Sequence, residues 1–339
     1  VIGTSVQATS RLDEFGGSIF YMNRTHRWNW GASLEQTPYV SRGFEAGYIG
    51  NTYVEREYRY LQRDQSATAF LTYPFSRAWR VEFSGGPRRI GESYELTQRT
   101  YSASSGEQLT EETTPLQEFP TLNLIEGSTA LVYDTSIAGA TSPIRGSRYR
   151  MEFMQSGGTL RYSSVLADMR TYLMPIRPYT LALRGMYYGR LGADGENEML
   201  PTLYLGYPGL VRGYDQYSFE ASECVGGTAG SCPAFDRLVG SRVAVANAEV
   251  RFPIWGAFNR SQFYGPLPIE GAFFADAGVA WGQSLRAGTP QGDQTPVVSL
   301  GAAIRVNVFN FAVAEIDFVK PLDRPTRGWM WQFQFRPGF

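Results

Sequence analysis

The chain has 339 residues, of which 31 are basic and 32 are acidic, so its formal net charge is −1. This balance offers no basic stripe that could meet phosphate groups and gives no reason to expect a nucleic-acid partner. The 14 % aromatic content and the 37 glycines favour strands and tight turns over helices. No segment approaches the roughly 18 consecutive apolar residues that a membrane helix needs.

Strand-like sequence begins almost at once, at residues 3–9 and 15–23. The chain starts at Val1, with neither an initiator methionine nor an apolar signal segment. We therefore expect a processed product or one truncated at its N-terminus. We expect one of two absences: either one or two N-terminal strands are missing, or residues are absent near 9–13, where a hairpin looks compressed.

Most of the chain alternates apolar and polar residues in segments about ten residues long, the length that a tilted membrane strand needs. The alternation is clearest in 300–309 and 311–320, and it also occurs at 148–154, 163–172, 181–190 and 242–252. It predicts that Arg305, Glu315 and Asp317 point inward together, where opposite charges can pair. Lys320 is the only lysine, and arginine suits half-buried carboxylates better because its planar fork binds both oxygens.

Short and long connections alternate along the chain. The short ones are 23–26, 74–78, 175–178 and 309–311, and the long polar ones are 102–120, 192–236 and 282–295. Membrane barrels have this asymmetry, with short periplasmic turns and long extracellular loops. The sequence therefore predicts an all-β, transmembrane antiparallel β-barrel over residues 1–339, with roughly 13–14 visible strands.

The loop at residues 192–240 is the longest connection and contains the apolar stretch 203–215, which is unsuited to a solvated tail. We expect this extracellular loop to fold into the lumen of the barrel. Cys224 and Cys232 lie within it, and in an exported protein they would form a local disulfide; in a reducing compartment they would be free thiols. Two thiolates lack the further ligands that zinc needs, and we predict neither a metal nor another cofactor.

The C-terminal segment places aromatic residues at alternate positions. Trp329, Trp331, Phe333 and Phe335 would form a lipid-facing stripe with an interfacial girdle, and the chain ends at Phe339. Such a strand would be an aggregation hazard in water. The terminal Phe resembles the signal by which the barrel assembly machinery captures its precursors, and it predicts that machinery as a partner for insertion.

Three segments resemble, in order, the motifs of the BamA/TamA-like outer-membrane insertase superfamily, also called the bacterial surface antigen family. Val211, Arg212, Gly213 and Tyr214 look like its Val-Arg-Gly-aromatic loop motif. Residues 247–253 are similar to the strand with its inward glutamate, and 274–281 to its Phe-x-Asp-x-Gly strand. The pattern looks most like the barrel that follows TolB-like β-propellers, and nothing here looks like the POTRA domains of other members.

The resemblance implies a barrel of sixteen strands in which Arg212 reaches the wall and pairs with Glu249 and Asp276. Both carboxylates fall on the inward phase of their strands, in agreement with this pairing. Removing an arginine held between two carboxylates would leave unpaired buried charges. The simplest role for this group is to pin the loop and stabilise the barrel, because it performs no bond chemistry.

The resemblance also implies a function, namely insertion or translocation of proteins through a weak seam between the first and last strands. The expected location is the bacterial outer membrane, as an integral protein. The expected partners are its lipids and lipopolysaccharide, with unfolded barrel substrates or an attached periplasmic domain. The alternative is a passive porin-like barrel or an anchor for a missing periplasmic domain. An enzyme is not expected, because His26 is the only histidine and falls in a predicted turn.

Overall fold

The computed structural model describes residues 1–7, 14–224, 232–255, 268–282, 295–309 and 311–337. The chain forms two compact units, and the first comprises Val1–Pro74, Glu82–Thr129 and Gln155–Arg161. Its strands are β1 (Ile2–Gln7), β2 (Gly16–Asn23), β3 (Asn29–Ile49), β4 (Thr52–Pro74), most of β5 (Trp79–Ser102), β6 (Gln108–Glu118) and the first part of β7 (Leu122–Asp134).

The second unit comprises Phe75–Val81, Ala130–Met154 and Tyr162–Phe339. Its strands are β8 (Ile137–Ala138), most of β9 (Pro143–Gly158), β10 (Tyr162–Ile176), β11 (Tyr179–Leu191), β12 (Leu203–Tyr204), β13 (Val239–Gly240), β14 (Arg242–Pro253), β15 (Ile269–Trp281), β16 (Val297–Val308), β17 (Ala312–Pro321) and β18 (Met330–Pro337). A helix, α1 (Pro233–Asp236), and two 3-10 turns, Gln216–Ser218 and Ala221–Cys224, lie between β12 and β13. No helix among the described residues is long and apolar enough to cross a membrane.

The strands form a 16-stranded sheet, which confirms the all-β antiparallel prediction. Fourteen strands follow one another in the order β1-β2-β3-β4-β5-β7-β9-β10-β11-β14-β15-β16-β17-β18, while β6 pairs with β5 and β8 with β9. Strands β12 and β13 form a separate two-stranded sheet. The fourteen agree with the predicted count, and β6 and β8 were not predicted.

The prediction of a long polar loop over 102–120 is wrong. Strand β5 continues to Ser102 and β6 pairs with it, so that the connection is reduced to residues 103–107. The segment contains several threonines, which fit a pleated strand, and Thr97 lies opposite Thr113 in the ladder. Hydrophobic alternation missed this strand because it lacks an apolar face.

Three other predicted features fall partly or wholly outside the described residues. These are the compressed hairpin near 9–13, the long connection 282–295, of which 283–294 are not described, and the terminal Phe339.

Strands β14–β18 invert the usual distribution of side chains. On one face the apolar side chains Phe273, Ile304 and Phe333 are 49–67 % exposed. On the opposite face Arg305 and Glu315 lie directly across the ladder, and their side chains are 3 % and 0 % exposed with 2.9 Å between Nη2 and Oε1. In water the apolar side chains would be buried and the charged ones exposed. Charged side chains inside and apolar side chains outside are favoured when hydrocarbon surrounds the sheet and its interior is polar. The predicted alternation of β16 and β17 is confirmed.

Candidate functional site: a loop held by buried arginines

The connection between β11 and β14 packs against one face of the β14–β18 sheet. The described residues 192–224 and 232–240 of this connection are called the docked loop below, and the face that they cover is called the inner face. Leu205, Val211, Tyr214 and Leu238 of the docked loop are fully buried. They form one apolar cluster with residues near the loop-side ends of the strands, namely Val243, Val245, Ala280 and Val297. Apolar burial of this kind supplies the non-directional part of the docking free energy.

Two glycines permit the close approach of loop and wall. Gly213 has a φ of +87°, and a Cβ there would lie 3.1 Å from Val319. Gly278 of β15 faces Val211, whose Cγ2 would be 2.7 Å from an added Cβ. A side chain at Gly213 would meet Val319 of β17, and one at Gly278 would meet Val211 of the loop. Either substitution would therefore push the docked loop away from the inner face.

Arg212 lies at the centre of the site. Its Nε donates to Asp276 Oδ2 at 2.7 Å and its Nη2 donates to Asp276 Oδ1 at 2.8 Å, which is a bidentate pair. Nη2 also lies 2.8 Å from Glu249 Oε1. The structure thus brings together the three residues for which the resemblance implied a contact. The Arg212 side chain is 4 % exposed, so these charges meet with little water between them.

The site extends beyond the predicted triad to β17. Arg212 Nη1 lies 3.5 Å from Glu315 Oε1 and 3.8 Å from Asp317 Oδ1. The guanidinium also lies 3.4 Å from the centroid of the Phe274 ring, a cation–π contact. Alternation placed Glu315 and Asp317 on the inner face but carried no information on which arginine they would meet.

A second arginine, Arg305 of β16, joins the same carboxylates from the wall. It lies 3.0 Å from Glu249, 3.2 Å from Glu270 and 2.9 Å from Glu315. Glu249 therefore bridges a wall arginine and a loop arginine. The carboxylates thus have arginine partners both on the wall and on the loop.

Burial opposes the charge of Arg212, but the hydrogen bond to Asp276 and the charges of Glu249, Asp276 and Asp317 outweigh it. Together they raise the pKa of Arg212 above its ordinary value. Arg212 therefore carries its charge near neutral pH and acts as a hydrogen-bond donor, not as a proton carrier.

The residues that follow Arg212 are bonded to the ends of the last strands. The Gly213 N–H donates to Gln332 Oε1 of β18 at 2.8 Å. The Tyr214 hydroxyl donates to the Val298 carbonyl of β16 at 2.9 Å, and the Tyr204 hydroxyl donates to the Tyr214 carbonyl. The whole motif 211–214 is thus engaged, by packing at Val211, by polar contacts at Arg212 and Gly213, and by both at Tyr214.

The other predicted site residues lie apart from this centre. Cys224 and Cys232 form a disulfide within the docked loop. Trp331, Phe333 and Phe335 lie on the outer face of β18, and Trp329 immediately precedes this strand; the four side chains are 51–69 % exposed. His26 is exposed in the connection between β2 and β3. Among the described residues no group of three His, Cys, Asp or Glu side chains could hold a metal ion.

An antiparallel sheet that exposes apolar side chains and fixes a long loop to its charged inner face defines a transmembrane β-barrel with an internal loop. The chain belongs to the Omp85 superfamily, whose domain matches residues 3–339. The resemblance to the BamA/TamA-like proteins is thereby confirmed.

Solved structures that are similar to the chain include BamA and CdiB. BamA from Haemophilus ducreyi lacking POTRA domains 1–3 has a TM-score of 0.54 at 13 % identity, over 98 % of this chain and 68 % of that one. CdiB from Acinetobacter baumannii has a TM-score of 0.41 at 13 % identity, over 96 % of this chain and 57 % of that one. At this identity the BamA match establishes the fold alone. No curated protein sequence matched the chain.

Proposed function

We propose that this protein is an integral outer-membrane barrel that aids the insertion or translocation of polypeptides through a lateral seam. It works without covalent chemistry and without a cofactor. Membership of the Omp85 superfamily and the exposed apolar face of β14–β18 support this proposal. Its partners are the lipids and lipopolysaccharide of the outer membrane, unfolded barrel substrates or an attached periplasmic domain, and the barrel assembly machinery for its own insertion.

The observation that carries the proposal is the pinning of the docked loop by Arg212. A loop held by a buried arginine favours two arrangements, docked and released, because partial separation would leave charges both desolvated and unpaired. An element with two arrangements can respond to a bound substrate. A passive pore would work with a loop that is packed by apolar contacts alone.

Strand β18 is the element on which a substrate would act. It ends the hydrogen-bonded strand order and pairs with β17 from Ala312↔Pro337 to Val319↔Met330. An extended polypeptide can add to such a strand by backbone hydrogen bonds, which is β-augmentation. Because backbone groups must be satisfied inside a bilayer, an incoming strand gains more from this pairing in a membrane than in water.

The test is depletion of the protein in its native host, followed by quantitative mass spectrometry of the outer-membrane proteome. An assembly function predicts that many barrel proteins decrease together and that the wild-type gene restores them. Arg212→Ala should restore them poorly. Arg148→Ala is the matched control, because its side chain is 52 % exposed and lies 3.7 Å from Asp134.

An unchanged proteome would overturn general insertion. It would favour a passive porin-like barrel or an anchor for a periplasmic domain. Steady ion conductance of the purified protein in planar bilayers, equal in wild type and Arg212→Ala, would then support the porin.

A further inference from the structure

The connection between β17 and β18, residues 322–329, makes a second set of polar contacts with the docked loop. Arg237 of the loop donates to the Asp323 carbonyl at 2.7 Å, and the Tyr214 hydroxyl lies 3.3 Å from Asp323 Oδ2. Arg327 pairs with Glu220. The contacts lie beyond the carboxylate cluster and share no residue with it, so they hold the loop at a different place.

Arg324 is the most buried residue of this connection, and its side chain is 0 % exposed. Its Nε and Nη2 donate to the two oxygens of Glu223 at 2.7 and 2.8 Å. Its Nη1 donates to Ser218 Oγ at 2.8 Å and its Nη2 donates to the Ser218 carbonyl at 2.8 Å. The guanidinium carbon lies 4.0 Å from the centroid of the Phe219 ring. One side chain thus orders the loop from residue 218 to the disulfide at Cys224.

The remaining hydrogen bond of Arg324 reaches the motif itself. Its Nη1 donates to the Gly213 carbonyl at 2.9 Å. The N–H of the same glycine donates to Gln332 of β18. Gly213 is therefore held on both sides, by a strand residue through its N–H and by the preceding connection through its carbonyl. Movement of the loop at Gly213 must disturb the segment that leads into β18.

We propose that Arg324 is a positioning residue that couples the docked state of the loop to the C-terminal strand. The coupling is separate from the Arg212 cluster, in which Arg324 takes no part. Release of the loop separates the Arg324 guanidinium from Glu223, Ser218 and the Gly213 carbonyl, so the connection 322–329 loosens and β18 separates from β17 more readily. Arg212 fixes the loop to the wall, and Arg324 transmits its position to the strand edge. The role of this edge in accepting substrate rests on the function proposed above.

Glu223 is the principal partner in this pair and its side chain is 4 % exposed. The hydrogen bonds from Arg324, acting against burial, and the N–H of Glu220 hold the pKa of Glu223 below its ordinary value. The pair is thus charged near neutral pH. Arg324→Ala removes every contact of the guanidinium, whereas Glu223→Gln leaves its bond to the Gly213 carbonyl in place.

Hydrogen exchange of the purified protein in lipid nanodiscs tests the coupling. Arg324→Ala should accelerate exchange on the order of a hundredfold in loop residues 213–224, because it leaves a buried carboxylate unpaired. It should also accelerate exchange of the β18 amides by about tenfold or more. Glu223→Gln should affect the loop and leave β18 near the wild-type rate. Arg327→Ala is the matched control, since its exposed pair with Glu220 should matter little.

Arg324→Lys is a second variant for the case in which Arg324→Ala does not fold. Lysine keeps the charge but cannot span the carboxylate and the two carbonyls, so β18 should exchange faster than in Glu223→Gln. The coupling is wrong if Arg324→Ala, or Arg324→Lys in its place, accelerates β18 no more than Arg327→Ala does. Faster β18 exchange with an unchanged proteome after depletion would retain the coupling and overturn the insertase. A reduced proteome with unchanged β18 exchange would do the opposite.

Discussion

Replacing Arg212 by alanine should release the docked loop. The change removes the bidentate pair with Asp276 and the contact with Glu249. Glu249 keeps Arg251 and Arg305, at 2.6 and 3.0 Å. The loss therefore falls mainly on Asp276, whose side chain is 0 % exposed.

The magnitude follows from what Asp276 retains. Asn247 Nδ2 still donates to its Oδ1 at 2.8 Å, and the N–H of residue 212 lies 3.3 Å from its Oδ2. Among the described residues, however, no other arginine forms an ion pair with it. Breaking a buried pair by removing one partner costs about 3–5 kcal/mol. At roughly 1.4 kcal/mol for each factor of ten, docking should weaken by about 10² to 10³-fold.

Limited proteolysis and hydrogen exchange of residues 203–224 measure this release in the folded barrel. The double variant Arg212→Ala/Asp276→Asn should recover part of the loss, because removing both charges costs less than removing one. Arg148→Ala, with an exposed side chain, should match the wild type. If Arg212→Ala protects the loop as well as Arg148→Ala does, apolar packing alone holds it and the reasoning is refuted.

Three further outcomes can be measured on the same protein. Acidification should loosen the loop tip, because docking lowers the pKa of Glu223. The stabilisation that its pair with Arg324 gives to docking is complete above the ordinary pKa of about 4.3, and it is lost as the pH falls through the lowered pKa of the docked state. Pepsin cleavage between residues 216 and 224 reports this loss. Tyr214→Phe keeps the ring but removes the hydrogen bond to a β16 carbonyl, and it should weaken docking by about 1 kcal/mol in hydrogen exchange. Phe333→Lys places a charge on the 67 % exposed face of β18, and it should destabilise the barrel in lipid vesicles by up to about 2–4 kcal/mol in urea titrations.

Each of these three has a contrary result. Equal pepsin cleavage of wild type and Glu223→Gln across the acidic range would show that Glu223 is not the group whose protonation loosens the loop. A Tyr214→Phe loop that exchanges like wild type would mean that water replaces the lost donor. Unchanged stability of Phe333→Lys in vesicles would place that face in water rather than lipid.

Much of the fold was determined by local pattern. Alternation in β16 and β17 predicted which face of each strand would carry Arg305 and Glu315, since successive side chains in a strand point to opposite faces. It failed at β6, where threonine and glutamate form a strand without an apolar face. Hydrophobic alternation indicates a strand only when its two faces lie in different environments. A hairpin that is exposed on both faces therefore shows no alternation.

The site divides in the same way. The motif 211–214, Glu249 and Asp276 were predicted by resemblance and by strand phase, because each depends on a short stretch of sequence. Three other features of the site depend on tertiary structure: the contact of Arg212 with Glu315, its cation–π contact with Phe274, and the anchoring of the loop by Arg324. Arg324 lies 111 positions from the carbonyl of Gly213 to which it donates. Strand alternation determines which face a side chain occupies. Only the docking of the loop across the five strands β14–β18 brings groups so far apart in the chain within hydrogen-bond distance, where burial makes the pairing of charges strong.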